Sequence, residues 1–141
     1  MGVLLHVEDE DSAAVIFRAA VEAACIPITI FRVSNGEEAL EYLRTAGPNP
    51  AAERPDVVFL DLNMPKMDGW QVLAEMQADQ SLRSIPVVVL STASRRSDIN
   101  RAFSLGARHY IAKPPFFDDW IIELQSACGR FVTSAARGGD F

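Results

Sequence analysis

The sequence predicts an α/β domain in which a five-stranded parallel sheet is covered by helices on both faces. Three short apolar runs rich in β-branched residues, at 3–7, 57–60 and 87–90, are typical of strands buried on both sides. Weaker runs at 28–33 and 108–112 complete the five strands. Segments with helical periodicity separate them, and such strict alternation favours parallel strands joined by right-handed crossovers. We therefore expect one doubly wound, flavodoxin-like sheet of strand order 2-1-3-4-5.

The first two helices are predicted from capping residues followed by apolar residues at helical spacing. The first is expected to be capped by Asp11 or Ser12 and to run through residue 24. One face of this helix is predicted to carry Val15, Ile16, Ala19, Ala20 and Ala23. The second helix is predicted from a capping box between Ser34 and Glu37.

The last three helices are predicted in the same way. Asp68 is expected to cap the third, and Gly106 to close the fourth in the left-handed conformation that glycine favours. The fifth carries apolar residues at helical spacing between Trp120 and Val132. The expected organisation is one domain over residues 1–132 followed by a short flexible tail over 133–141.

The composition fits one globular domain and argues against several classes of function. The chain has 141 residues, 49% of them hydrophobic, and its 13 basic and 19 acidic residues give a net charge of −6. Bulk electrostatics therefore do not favour nucleic acid or an anionic membrane as partner. No uncharged apolar run reaches the roughly 20 residues that span a bilayer. The N-terminus lacks the basic region of a signal peptide, and two cysteines are too few for a disulfide framework. We expect a cytoplasmic protein with free thiols.

Polar residues follow four of the predicted strands. Glu8 and Asp9 follow the first, Asp61 the third, Ser91 the fourth and Lys113 the fifth. The carboxyl ends of parallel strands lie at one edge of the sheet, so these side chains should converge there. Three carboxylates that crowd together need a cation to offset their repulsion, and an all-oxygen set suits Mg²⁺. Such a site would support phosphoryl transfer to Asp61, with the metal ion and Lys113 balancing charge on the phosphoryl oxygens.

Four motifs at these strand ends resemble the receiver domains of two-component response regulators. The motifs are Val7-Glu8-Asp9-Glu10, Asp61-Leu62-Asn63-Met64-Pro65-Lys66-Met67-Asp68-Gly69, Pro86-Val87-Val88-Val89-Leu90-Ser91 and Tyr110-Ile111-Ala112-Lys113-Pro114. The resemblance covers residues 3–125. It implies that Asp61 accepts a phosphoryl group from a sensor histidine kinase and that the chain signals to an unidentified downstream protein.

The resemblance also implies a role for each residue of the site. The implied metal ligands are Glu8 (through water), Asp9, Asp61 and the main-chain carbonyl of Asn63, with Mn²⁺ as an alternative to Mg²⁺. The implied phosphoryl-binding residues are Ser91 and Lys113. Thr92 is expected either to contribute to phosphoryl binding or to form the turn that follows the fourth strand. Tyr110 is expected to follow Ser91 as a switch that couples the site to the face of the fourth helix, fifth strand and fifth helix. The bond between Lys113 and Pro114 is expected to be cis.

A narrower similarity is to single-domain receivers that pair with bacterial phytochrome kinases. It depends on the long loop before Asp56, the turn at 91–94 and the extended last helix. It implies a bacteriophytochrome as the partner kinase and a homodimer through the C-terminal helices.

Two other functions remain open at the level of the sequence. An aspartyl-phosphate phosphohydrolase would use the same strand-end Asp, Mg²⁺ and Lys. However, Asn63 stands where such enzymes usually carry a second Asp for acid–base work, and no cap domain is present. A phosphorylation-independent adaptor would be expected to lack part of the site, whereas every site residue is present here.

Overall fold

The computed structural model describes residues 2–46, 54–62, 64, 68–93 and 95–130. In this part of the chain, five strands alternate with five helices. The strands are β1 (Gly2–Val7), β2 (Ile28–Val33), β3 (Val57–Asp61), β4 (Val87–Ser91) and β5 (His109–Ala112). The helices are α1 (Asp11–Ala23), α2 (Gly36–Ala46), α3 (Gly69–Ala78), α4 (Arg96–Ser104) and α5 (Phe117–Cys128). The predicted alternation is confirmed, and the predicted strand ends differ from those observed by at most one residue.

The five strands form one parallel sheet of order β2-β1-β3-β4-β5, which confirms the predicted topology. The three central strands β1, β3 and β4 are buried along their whole length. In the register of the sheet, Val7 pairs with Leu60, and Ser91 pairs with Ala112. The carboxyl ends of the strands therefore lie side by side at one edge of the sheet. The polar residues that follow the strands in sequence begin at this edge.

Strand side chains alternate between the two faces of the sheet and divide the core into two layers. Leu5 and Leu60 belong to the layer covered by α2, α3 and α4. Leu4 and Phe59 belong to the layer covered by α1 and α5. Truncating one of these fully buried side chains to alanine typically costs about 2–5 kcal/mol.

The predicted buried face of α1 is wrong. Val15 is 67% exposed and Ile16 is 48% exposed, whereas Phe17, Ala20 and Val21 are buried. The Phe17 ring stacks on His6 with centroids 3.9 Å apart and meets Phe59 and Trp120 edge-on. Because residues three and four apart share a helix face, burying Phe17 also buries positions 20, 21 and 24 and turns 15 outward.

The first two helix caps also differ from the prediction. The residue before α1 is Glu10, whose side chain makes no capping hydrogen bond, so neither predicted residue caps this helix. At α2, the Glu38 amide donates to Oδ1 of Asn35 at 2.9 Å, and the Ser34 amide donates to Oε1 of Glu38 at 2.8 Å. The capping interaction therefore lies one residue later than predicted, because Asn35 offers a side-chain oxygen at the cap position.

The predicted start of α3 and the predicted end of α4 are confirmed. Asp68 caps α3 in a capping box with Gln71, and Gly106 follows α4 with φ of +99°. Residues 131–141 lie outside the described residues, and so do the predicted end of the last helix and the predicted tail. None of the described helices is both long enough and apolar enough to cross a bilayer.

Candidate functional site

The structure brings three carboxylates together at the carboxyl edge of the sheet. Glu8 and Asp9 directly follow β1, and Asp61 is the last residue of β3. One oxygen from each of these carboxylates lies within 4.8 Å of one from each of the others. Glu8 and Asp61 are only 2% and 3% exposed, while Asp9 is partly exposed. The predicted convergence of the acidic residues is therefore present in the structure.

The surroundings of Glu8 disfavour its ionised form. Its burial, together with the charge of Asp61 and a hydrogen bond to that residue, raises the pKa of Glu8 from its ordinary 4.5 to about 7. Lys113 opposes this rise but does not cancel it. A divalent cation would favour the ionised form of these carboxylates, so the donor set fits an ion that prefers oxygen ligands.

Lys113 follows β5 and points its ammonium group at the acidic cluster. Its Nζ lies 3.1 Å from Oδ2 of Asp61 and 3.6 Å from Oε1 of Glu8. Burial alone would lower the pKa of Lys113, but the two carboxylates outweigh burial and raise it. The lysine is therefore a fixed positive charge beside Asp61. Its backbone amide donates to the Ser91 carbonyl at 2.8 Å, which ties its position to β4.

Ser91 and Tyr110 are connected through the peptide groups of Ala93. Ser91 ends β4 and is 1% exposed, and its Oγ accepts a hydrogen bond from the Ala93 amide at 3.0 Å. The Tyr110 hydroxyl donates to the Ala93 carbonyl at 2.8 Å. Thr92, between them, is exposed. A change at the Ser91 hydroxyl can thus reach Tyr110 through one residue.

The predicted cis bond between Lys113 and Pro114 is wrong. The described residues contain no cis peptide bond, and this bond is trans. The trans form is favoured before proline by about 0.5–1 kcal/mol, and the Lys113 amide already makes its hydrogen bond to β4 in this arrangement. Asn63, the fourth predicted metal ligand, lies outside the described residues.

Gly69 fixes the start of α3 against the site. Its amide donates to the Leu62 carbonyl at 3.1 Å. A Cβ at this position would overlap the Asp61 carbonyl oxygen and come within 2.5 Å of the Leu62 Cα. The close approach of α3 to the end of β3 therefore requires glycine.

One residue of the site was not predicted from the sequence. Arg32 on β2 binds the Glu8 carbonyl with two of its N–H groups and the Asp11 carboxylate with a third. The capping and strand signals gave no indication of this role, because an arginine on an edge strand is usually solvated. Arg32 lies one residue before Val33, and Val33 pairs with Val7 in the sheet. This pairing brings Arg32 close to Glu8, the residue that follows Val7.

Comparisons with known proteins identify the family to which the chain belongs. The sequence model of the response regulator receiver domain matches residues 4–124. The crystal structure of the phosphorylated cyanobacterial phytochrome response regulator RcpA is 34% identical, covers 94% of this chain and 95% of its own, and superposes with a TM-score of 0.83. Response regulator RPA3017 in red light signalling of R. palustris is 30% identical over 94% of both chains, with a TM-score of 0.86.

A third similar protein is Rcp1 of Synechocystis sp., whose sequence is 32% identical over 111 residues, or 79% of this chain and 76% of Rcp1. The crystal structure of its Mn²⁺-bound form covers 91% of this chain and 92% of its own at 30% identity, with a TM-score of 0.79. The resemblance to single-domain receivers of phytochrome systems is confirmed. The chain belongs to the family of response regulator receiver domains of two-component signalling.

Proposed function

We propose that this chain is a phosphorylation-switched signalling protein in which Asp61 accepts a phosphoryl group from a phosphohistidine of a sensor histidine kinase. The main support for this proposal is the environment of Asp61. Its carboxylate is 3% exposed, lies in contact with the Lys113 ammonium at 3.1 Å and shares the sheet edge with two further carboxylates. A role in stability alone does not account for three crowded carboxylates, two of which lie beside one lysine.

In the proposed step, a carboxylate oxygen of Asp61 attacks the phosphorus atom. The phosphorus–nitrogen bond of the phosphohistidine breaks, and its electron pair stays on the imidazole nitrogen. A neutral imidazole leaves when its other ring nitrogen carries a proton. Lys113 attracts the phosphoryl oxygens, and the Ser91 hydroxyl donates a hydrogen bond to one of them. The product is an acyl phosphate on Asp61.

The acidic cluster would hold the divalent ion that this chemistry uses. Asp9 and Asp61 would supply carboxylate oxygens directly and Glu8 would do so through water, with the main-chain carbonyl of Asn63 as the proposed fourth ligand. When bound, the ion offsets negative charge on the cluster and on the phosphoryl oxygens. Mg²⁺ is the proposed ion, and the Mn²⁺-bound form of Rcp1 supports Mn²⁺ as an alternative.

We propose that phosphorylation shifts a conformational population on the face formed by α4, β5 and α5. The Ser91 hydroxyl would turn to the phosphoryl group. Its present hydrogen bond from the Ala93 amide would then break. The hydrogen bond from Tyr110 to the Ala93 carbonyl would weaken with it, which frees the tyrosine ring to move. Thr92 would contribute to phosphoryl binding from the same loop.

The partner kinase is proposed to be a bacteriophytochrome, and the setting cytoplasmic. RcpA is named as a phytochrome response regulator, and RPA3017 is named for red light signalling, which supports this choice. The downstream protein is unidentified, and a homodimer through the C-terminal helices remains part of the proposal. So does the division into a domain over 1–132 and a tail over 133–141.

Labelling with a small acyl phosphate tests the phosphoacceptor. The protein should gain one phosphoryl group by intact mass when Mg²⁺ is present and none when EDTA removes it. Asp61→Asn should abolish labelling, whereas the matched control Asp118→Asn, at an exposed position of α5, should label normally. Labelling of the Asp61 variant at another residue would overturn the assignment.

Amide hydrogen exchange tests the switch. Phosphorylation should change exchange mainly in α4, β5 and α5. Changes confined to residues 2–46 would contradict the proposed coupling.

Phosphotransfer from different kinases tests the proposed partner. Transfer from a bacteriophytochrome kinase should be faster than from an unrelated histidine kinase, and equal rates would contradict the pairing.

A further inference from the structure

Arg32 makes an unusual set of contacts beside the acidic cluster. It lies on the edge strand β2 and its side chain is only 24% exposed. Nε and Nη2 donate to the Glu8 carbonyl oxygen at 3.1 and 2.9 Å. Nη1 donates to Oδ1 of Asp11 at 2.7 Å. One guanidinium thus joins Glu8, which follows β1, to Asp11, the first residue of α1.

These contacts hold one particular peptide group. The Glu8 carbonyl belongs to the peptide bond between Glu8 and Asp9, the two metal-ligand candidates that follow β1. The Glu8 amide is also held, because it donates to the Val33 carbonyl at 3.1 Å. Strand β2 therefore fixes both backbone polar groups of Glu8, and with them the direction in which the Glu8 and Asp9 side chains leave the loop.

The arginine side chain suits this task better than lysine would. A guanidinium is planar and presents its donors in a rigid fork, so it can bind a carbonyl and a carboxylate at the same time. An ammonium is a compact point charge that does not reproduce that geometry. Asp11 is 92% exposed, so its contact with Arg32 is a surface ion pair of small energetic weight. The contact of Arg32 with the Glu8 carbonyl is the one that affects the position of the metal-ligand candidates Glu8 and Asp9.

We infer that Arg32 is a positioning residue for the metal site, acting through the Glu8–Asp9 peptide group. This inference rests on the proposed function, since it concerns the same three carboxylates. Positioning and charge make opposite predictions about metal affinity. Removing a positive charge near a cation site should tighten metal binding by Coulomb's law, whereas removing a support of the ligands should weaken it.

Mn²⁺ binding measured by electron paramagnetic resonance tests the inference, because the signal of free Mn²⁺ falls as the ion binds. The probe is Mn²⁺ alone, with no phosphoryl donor. Arg32→Gln should weaken binding about tenfold, the lower end of what losing an outer support of a metal site costs. Arg32→Lys, which keeps the charge, should weaken it as well.

Arg18→Gln is the matched control, because Arg18 is an exposed arginine of α1 whose Nη2 lies 3.5 Å from the Ile30 carbonyl oxygen of the same strand. This control should bind Mn²⁺ as the wild-type protein does or slightly more tightly. Urea unfolding of each variant shows whether it is folded under the conditions of the titration. If Arg32→Gln lowers stability but leaves Mn²⁺ affinity unchanged or increased, the residue is merely structural and the inference is overturned. Absence of Mn²⁺ binding by the wild-type protein would instead overturn the metal site of the proposed function, and this inference with it.

Discussion

Glu8→Gln should make the metal-free protein more stable, although it removes a residue of the site. Burial, reinforced by the charge of Asp61, raises the pKa of Glu8 from 4.5 to about 7 in the folded protein. Between these values the folded protein binds more protons than the unfolded chain. The free energy of unfolding therefore falls as the pH rises from 4.5 to about 7. Above pH 7 the folded protein bears the full cost of an ionised Glu8.

The size of the effect follows from the pKa. Each tenfold change in proton affinity corresponds to about 1.4 kcal/mol, so the ionised Glu8 costs about 3 kcal/mol of stability above pH 7. Glutamine has the same shape without the charge, and the pKa of about 7 already includes the attraction of Lys113, whose Nζ lies 3.6 Å from Oε1 of Glu8. We therefore expect a gain of about 3 kcal/mol at pH 8 and of about 1 kcal/mol at pH 5.

Urea unfolding followed by circular dichroism, in EDTA at pH 5 and pH 8, measures this gain. The matched control is Glu37→Gln, an exposed glutamate in the first turn of α2, which should change stability little at either pH. Adding Mg²⁺ should stabilise the wild-type protein more than the Glu8 variant, because the ion binds the ionised cluster. A Glu8 variant that is less stable than wild type at pH 8, or a gain that does not depend on pH, would refute the electrostatic reasoning.

Three further predictions concern packing and chemical reactivity. Gly69→Ala should lower the free energy of unfolding by about 1–3 kcal/mol in urea titrations, because its Cβ would overlap backbone at the end of β3, while Gly129→Ala, where a Cβ meets nothing within 4 Å, should change it little. Equal effects of the two variants would contradict the packing argument. In a thiol-reagent titration of the folded protein, the exposed Cys25 should react, whereas Cys128, whose burial raises its pKa to about 12, should react only after unfolding. Rapid modification of both thiols would show that α5 opens readily. Tyr110→Phe should cost about 1 kcal/mol in urea unfolding through loss of its hydroxyl hydrogen bond, and an unchanged midpoint would show that this bond contributes nothing.

The sheet and the order of its strands could be predicted because they depend on local pattern. Continuous apolar runs mark strands buried on both faces, and strict alternation with helices leaves few topologies. The acidic cluster followed from the same argument, since Glu8 and Asp61 both stand directly after such runs. Motif spacing and topology together were enough to bring these residues to one edge.

The errors arose where the tertiary environment decides between local alternatives. Val15 and Ile16 are as apolar as the residues that α1 buries, and only the stacking of Phe17 on β1 selects the buried face. The isomer of the Lys113–Pro114 bond was inferred from resemblance, with no local signal in its favour. The contact of Arg32 with the Glu8 carbonyl depends on strand pairing across 24 residues, which no local pattern encodes.

Asp61 is the proposed phosphoacceptor among the three carboxylates of the site. Peptide mapping by mass spectrometry, after treatment with a small acyl phosphate and Mg²⁺, locates the phosphoryl group on the chain. The phosphoryl group should lie on the peptide containing Asp61, and on Asp61 within that peptide. A phosphoryl group on Glu8, on Asp9 or on a histidine would contradict it.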